Sequence, residues 1–330
     1  KWCKMTTNFL DKKIYIAGHN GMVGSSLAKR LLDSGHKNLL VAGREHVDLT
    51  IQEDVNLFIK SNSPKVVVIC AAKVGGILAN DTYRGQFLYN NLQIAMNIIQ
   101  ASHENNVEKL IFLGSSCIYP KECEQPIKEE YLLTSSLEYT NEPYAIAKIA
   151  GLKMCENYYK EYGDNFYSVM PCNLFGENDN FDLKTSHVLP ALIRKAHEAK
   201  IKNKDYIEVW GSGTPLREFL HTHDLSRALE MCINSIDAKD IYDQGISHLN
   251  IGSDDEVTIK ELTEIICKVV GFKGEIKFDS TKPDGTMRKK MDNSRIKKLN
   301  FKQELSLEEG LKKVYESYNR PNNLWNISMH

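Results

Sequence analysis

The 330-residue chain has almost no net charge, with 42 Lys and Arg against 43 Asp and Glu. It therefore lacks the basic excess that would draw it to nucleic acid or to an anionic membrane surface. Any anionic ligand has to be held by local groups. No apolar run approaches the roughly 20 residues needed to cross a bilayer, and Lys1-Trp-Cys-Lys-Met5 lacks the apolar core of a secretory leader. Residues up to about Leu10 read as an uninformative tail. The eight cysteines (Cys3, Cys70, Cys117, Cys123, Cys155, Cys172, Cys232 and Cys267) include no Cys-x-x-Cys pair, and no metal is expected. Several sit in apolar runs where a free thiol packs as a small hydrophobe, which fits a reducing, cytoplasmic compartment. Repeats and low-complexity segments are also missing.

What is present is a globular chain, 42% apolar, long enough for a sizeable core and two lobes. Lys13-Ile-Tyr-Ile-Ala17 is β-prone and runs at once into Gly18-His-Asn-Gly21-Met-Val-Gly24, after which Ser25 to Leu32 has helical periodicity. Further strands are expected at Asn38–Ala42, Lys65–Cys70, Lys109–Leu113 and Tyr167–Met170, with helices at Gln52–Ile59, Tyr83–Asn105 and Tyr144–Tyr162 between them. Such alternation predicts a Rossmann-type, doubly wound parallel sheet covered on both faces. Past Pro171 the pattern loosens: a loop from Asn173 to Ser186, a helix at Val188–Ala199 and a strand at Tyr206–Trp210 suggest a smaller mixed α/β lobe. A helix at His223–Met231 and a strand at His248–Ile251 return the chain to the first domain before helices near Lys260–Val270 and Ser306–Tyr318. The dinucleotide domain is thus expected over residues 11–172 plus about 222–252, and the substrate domain over about 173–221 plus 253–330.

Gly18, Gly21 and Gly24 stand between a strand and a helix, where backbone N–H groups and a helix N-terminus can face a pyrophosphate. At the end of the second strand the chain offers Arg44, not an acidic residue. A guanidinium there suits a ribose 2′-phosphate, so NADP is expected; the bland reading is a solvated Arg44 partnered by Glu45. Asp48 fits either an adenine contact or a turn. Tyr144 and Lys148, four apart on a helix, share a face, and a fixed cation beside a phenol favours its ionised form and makes it a better proton donor near neutral pH.

The glycine turn, Gly114-Ser115-Ser116 at a strand end and Tyr144-x-x-x-Lys148 resemble, in order and context, the extended short-chain dehydrogenase/reductase superfamily. Ala71-Ala-Lys-Val-Gly-Gly76, Phe112-Leu-Gly-Ser-Ser-Cys-Ile-Tyr-Pro120, Asn141-Glu-Pro-Tyr-Ala-Ile-Ala-Lys-Ile-Ala-Gly151 and Val209-Trp-Gly-Ser-Gly-Thr-Pro-Leu-Arg-Glu-Phe-Leu220 narrow the resemblance. They are similar to its 3,5-epimerase/4-reductases acting on GDP-4-keto-6-deoxy-D-mannose, over about Lys13 to Tyr315. That resemblance implies Ser115, Tyr144 and Lys148 as the reducing triad, with Cys117 and His187 as epimerisation base and acid. It implies cofactor contacts from Gly18, Asn20, Gly21, Met22, Val23, Gly24, Arg44, Asp48, Leu113, Gly114, Tyr144, Lys148, Pro171, Cys172, Asn173, Leu174 and His187. Substrate contacts are implied for Ser115, Ser116, Cys117, Asn173, Lys195, Trp210, Arg217 and Asp284, and a homodimer is implied as the assembly. Read without the resemblance, Cys117 is a structural thiol, His187 a helix-start residue, Lys195 a solvated face, Trp210 a core residue, and Arg217 a cross-strand partner of Glu218. Two positions depart from the pattern: Asn20 where some bacterial relatives carry arginine, and Cys172 where threonine is common. Another GDP-4-keto sugar, a dideoxy hexose or a 6-deoxy heptose, remains open as substrate, as does a non-catalytic dinucleotide-binding regulator.

Overall fold

The computed structural model describes residues 10–282 and 284–320; the tail Lys1–Phe9, with Cys3, lies outside them. β1 (Ile14–Ala17), β2 (Leu39–Leu40), β3 (Val66–Ile69), β4 (Lys109–Leu113), β5 (Phe166–Pro171) and the strand Leu249–Ile251 form one six-stranded sheet. All pairings are parallel, in the order β2, β1, β3, β4, β5 and Leu249–Ile251. β1, β3, β4 and β5 are buried along their whole length, as continuous apolar runs covered on both faces must be. β2 keeps two of the five expected residues because it is a half-exposed edge, paired with β1 alone.

The helices covering the sheet are α1 (Met22–Asp33), α2 (Gln52–Asn62), α4 (Arg84–Glu104), α5 (Glu142–Tyr162) and, further on, α7 (Thr222–Ser235), while the short α3 (Ile77–Thr82) leads into α4 and α6 (Val188–Ile201) belongs to the second lobe. Residues of alternate parity point to opposite faces. Ile14, Ile16, Val66, Val68 and Ile111 join Leu27, Leu31, Leu225 and Leu229 in one core. Tyr15, Ala17, Val67, Ile69, Leu110 and Phe112 join Ile59, Ile98 and Cys155 in the other. The chain reverses its direction of travel across the sheet between β1 and β3, and both strands end in loops at that point. Doubly wound sheets hold their ligands at such a reversal.

A third core gathers Leu189, Ile193, Val209, Leu262, Ile266, Leu311 and Val314 beside the sheet's carboxyl ends. Here Tyr206–Trp210 pairs with Glu275–Asp279, and Leu216–Arg217 lies between Val257–Thr258 and Arg288–Lys289. The segment expected as a loop from Asn173 contains a strand, Asn173–Phe175, paired in parallel with Phe219–His221. Met291, Ile296 and Phe301 pack into the sheet's first core, not the third. No helix among the described residues is long and apolar enough to cross a membrane.

Candidate active site

The glycine turn is shaped by close approach. A Cβ on Gly18, whose φ is +90°, would lie 2.6 Å from the backbone nitrogen of Ala71, and one on Gly24 would lie 2.2 Å from the Gly18 oxygen. α1 therefore starts at Met22, ahead of the expected Ser25, with Gly24 inside its first turn. Its first helical bond runs from the Ser25 N–H to the Gly21 oxygen at 2.9 Å, and Gly21 supplies no side-chain cap. The N–H groups of Met22, Val23 and Gly24 thus point off the helix end. The uncapped donors and the missing Cβ atoms fit a pyrophosphate.

At the end of β2 the Arg44 side chain is 82% exposed and forks onto the Asp48 carboxylate at 3.1 and 2.9 Å. Its partner is Asp48, four residues on, and not Glu45, whose carboxylate meets His46. Asp48 is engaged first by the hydroxyl and N–H of Thr50, which with Arg44 hold its carboxyl below the usual range. That geometry is a turn, and it leaves the guanidinium in solvent beside the glycine turn's sheet edge.

The end of β4 and the helix α5 carry the candidate reacting groups. Gly114 ends the strand with its N–H on the Val169 oxygen at 2.9 Å, and a Cβ there would strike the Met170 sulfur. Ser115 then starts a single 3₁₀ turn, Ser116–Ile118, and its Oγ accepts the Cys117 N–H at 3.4 Å. Ser116 and Cys117 are buried. From α5, Lys148 is 4% exposed and donates to the Leu113 oxygen at 2.8 Å; burial lowers its pKa to about 8. Tyr144 departs from expectation. Burial raises the phenol's pKa, and the neighbouring Cys117 adds to the rise. The Lys148 ammonium is 5.7 Å from the Tyr144 ring centre and 4.8 Å from that of Phe112, and its hydrogen bond turns it toward β4. Helical spacing placed the pair on one face; the strand carbonyl decides where the cation points.

Asn173 anchors the junction of the lobes, its amide donating to the Glu218 oxygen at 3.1 Å. Pro171 and Leu174 flank it in consecutive strands. Cys172 is buried and its Sγ turns to the Asn173 oxygen at 3.6 Å. His187 caps α6 across the loop ending β3, where the Gly76 N–H donates to Thr185. His187 is an exposed residue as a whole, yet loss of hydration around its imidazole lowers its pKa. On the second lobe Trp210 is 60% exposed, so it is no core residue. The ammonium groups of Lys195 and Lys282 lie 5.6 and 5.5 Å from its ring centre. Asp284 accepts the Ser212 N–H at 2.6 Å beside Gly211, and Gly285 lies against the Arg217 guanidinium. Trp210, Lys195, Asp284 and Arg217 thus share one face.

Two residues escaped sequence reasoning. Glu218 does not pair with Arg217. Its buried carboxylate accepts the N–H groups of Ser253 at 3.0 Å and Met291 at 2.8 Å, and burial raises its pKa to about 7. Lys289 reaches the Cys117 neighbourhood from the far lobe; three successive cations, Arg288 to Lys290, gave no hint which one would. The one carboxylate and histidine cluster with metal-like spacing among the described residues, His223, Asp224 and Glu304, is already bridged by the Arg227 guanidinium.

A glycine turn at a sheet reversal, with serine, tyrosine and lysine converging past it, defines a dinucleotide-dependent enzyme acting on a carbonyl or a carbinol. Comparison sharpens the class, for residues 14–252 match the NAD dependent epimerase/dehydratase family and the chain belongs to it. It is 53% identical over 307 residues to the GDP-L-fucose synthase of Sinorhizobium fredii, covering 93% of this chain and 95% of that one. A GDP-6-OMe-4-keto-L-xylo-heptose reductase from C. jejuni superposes with a TM-score of 0.88 at 38% identity, covering 94% and 98% of the two chains. A GDP-L-fucose synthetase from Naegleria fowleri, solved with NADP bound, superposes with a TM-score of 0.83 at 27% identity over 93% and 94%.

Proposed function

We propose that the chain is a bifunctional NADPH-dependent 3,5-epimerase/4-reductase that converts GDP-4-keto-6-deoxy-D-mannose to GDP-L-fucose. The observation that carries the reading is the meeting of Ser115, Tyr144 and Lys148 with the cleft thiol Cys117 at the end of β4, in a chain half identical to GDP-L-fucose synthases. The substrate's ketone makes both halves possible. It acidifies the C–H bonds at C3 and C5 by taking the electron pair onto oxygen, and it later accepts hydride at C4.

Bound NADPH supplies that hydride. The chain's own groups do the rest. Ser115 and Tyr144 hold the keto oxygen, and the burial that raises the Tyr144 pKa keeps the phenol protonated at neutral pH, ready to donate. The same donor stabilises the enolate during epimerisation. Cys117 as thiolate removes the C3 and C5 protons, and His187 returns protons from the opposite face. Lys148, charged below about pH 8, holds the ribose hydroxyls. Lys195 and Arg217 take the diphosphate, with Trp210 and Asp284 on the guanosine.

Exposed Arg44 supports NADP over NAD, and the NADP-bound relative agrees. α4 and α5 expose Tyr89, Met96 and Ile146, which supports a homodimer through these helices; the free thiols support a cytoplasmic setting. The separate third core supports a division into two domains, with Met291, Ile296 and Phe301 moved to the sheet domain whose core they join. The likeness to a heptose reductase favours, as second reading, the same chemistry or reduction alone on another GDP-4-keto sugar. Turnover of the deoxyhexose against the heptose, with NADPH oxidation followed, decides between them: preference for the heptose would displace the first reading.

A further inference from the structure

Cys117 has to lose its own proton before it can take one from carbon, and burial opposes that by pushing the thiol's pKa up. Lys289 is the foremost charge working the other way, ahead of Lys148. Its position is fixed by backbone pairing on two sides. On one, Arg288–Lys289 runs parallel to Leu216–Arg217 with Lys289 opposite Arg217, and the Met291 N–H is held by Glu218. On the other, the Lys290 N–H donates to the Gln125 side chain at 2.8 Å, and the Ile127 N–H donates back to the Lys290 oxygen at 2.7 Å. Gln125 and Ile127 continue the loop that begins at Cys117. The segment is thus laced to the stretch of chain that follows the turn carrying the thiol.

The neighbouring cations are occupied elsewhere. Arg288 forks onto Glu256 at 2.8 Å on both nitrogens, and Lys290 donates to the Ser253 oxygen at 2.5 Å. The side chain of Lys289, half-buried between them, makes no hydrogen bond and no ion pair among the described residues. Cys117, Arg217, Cys123 and Glu138 are the charged and titratable groups that act on it, while Lys148, Tyr144 and Ser115 complete the surroundings of the thiol. Arg217 adds positive charge to the pocket and Glu138 opposes it; Cys123 is a second thiol within reach of the same ammonium.

We propose that Lys289 is the counter-cation of the Cys117 thiolate, a positioning residue of the epimerisation step that acts through the sulfur. The proposal rests on Cys117 being the base. The thiol releases its proton to water, and the thiolate pairs with the Lys289 ammonium. The sulfur then takes the proton from C3 or C5 while the C–H electron pair moves to the keto oxygen as an enolate. Reprotonation of carbon from the other face leaves S–H to be ionised again before the next exchange.

The test reads the thiol without substrate. Iodoacetamide alkylation of the Cys117 peptide is followed by mass spectrometry from pH 6 to 10 on the full chain, with Cys117→Ser as blank. Lys289→Met is expected to move the alkylation midpoint up by about one unit, and so to slow labelling at neutral pH about tenfold. Lys289→Arg should restore most of both, and NADPH binding should survive in each variant, showing that the fold is intact. An unchanged midpoint in Lys289→Met, with activity lost only through a higher KM for the GDP-sugar, would overturn the proposal and make Lys289 a phosphate ligand. Deuterium exchange into the sugar by Cys117→Ser at the wild-type rate would instead overturn the base assignment, a result separate from the alkylation midpoint.

Discussion

Replacing Lys148 by methionine should remove the reductase and alter how the apoprotein's stability depends on pH. Lys148 is 4% exposed and its pKa falls from 10.5 to about 8 because burial penalises the charged form. Near neutral pH it is protonated both folded and unfolded, so its buried charge is a standing cost. Between about 8 and 10.5 the unfolded chain binds more protons than the folded one, and stability rises with pH. At about 1.4 kcal/mol per unit, the wild-type protein should gain about 2 kcal/mol from this group between roughly pH 7.5 and 9.5. Methionine has nothing to titrate and loses that gain. Its absolute stability is a poorer readout, since the unpaired Leu113 carbonyl costs about 1–3 kcal/mol. The assay is urea unfolding by circular dichroism at the two pH values, comparing wild type with Lys148→Met so that the other titrating groups cancel. A difference between the two proteins that does not change with pH would refute the burial argument.

The limits of the sequence are physical ones. β3 reads directly because a strand covered on both faces is an unbroken apolar run, Val66-Val-Val-Ile69. The strands Asn173–Phe175, Leu216–Arg217 and Arg288–Lys289 are too short to show a period, and their partners lie far along the chain. Such pairing is what brings Lys289 to Cys117. Tyr144 and Lys148 were legible as neighbours from helical spacing, but the direction of the ammonium depends on Leu113, a carbonyl with no signature in sequence. Glu218 looked like the partner of Arg217 and serves instead two backbone N–H groups from later segments.

Tyr144→Phe should abolish NADPH oxidation and also slow deuterium exchange into the sugar, because one donor serves both the alkoxide and the enolate; exchange at full rate in steady-state assays would limit Tyr144 to the reduction. Arg44→Ala should weaken NADPH binding about tenfold and leave NADH unaffected, as expected for loss of one exposed charge-assisted contact. Equal losses for both cofactors in fluorescence titrations would mean Arg44 does not read the 2′-phosphate. Glu218→Ala leaves the Ser253 and Met291 N–H groups unpaired inside the protein and should cost about 2–4 kcal/mol in urea unfolding; a loss under about 0.5 kcal/mol would show that the lobes need no such latch.

The central claim is that one site both epimerises and reduces, and one incubation tests it. The protein is mixed with GDP-4-keto-6-deoxy-D-mannose and NADPH in deuterium oxide, and the product is examined by NMR. The account predicts stoichiometric NADPH oxidation and a GDP-6-deoxy sugar carrying deuterium at both C3 and C5. NADPH oxidation that yields an unlabelled product with the starting configuration at C3 and C5 would contradict it.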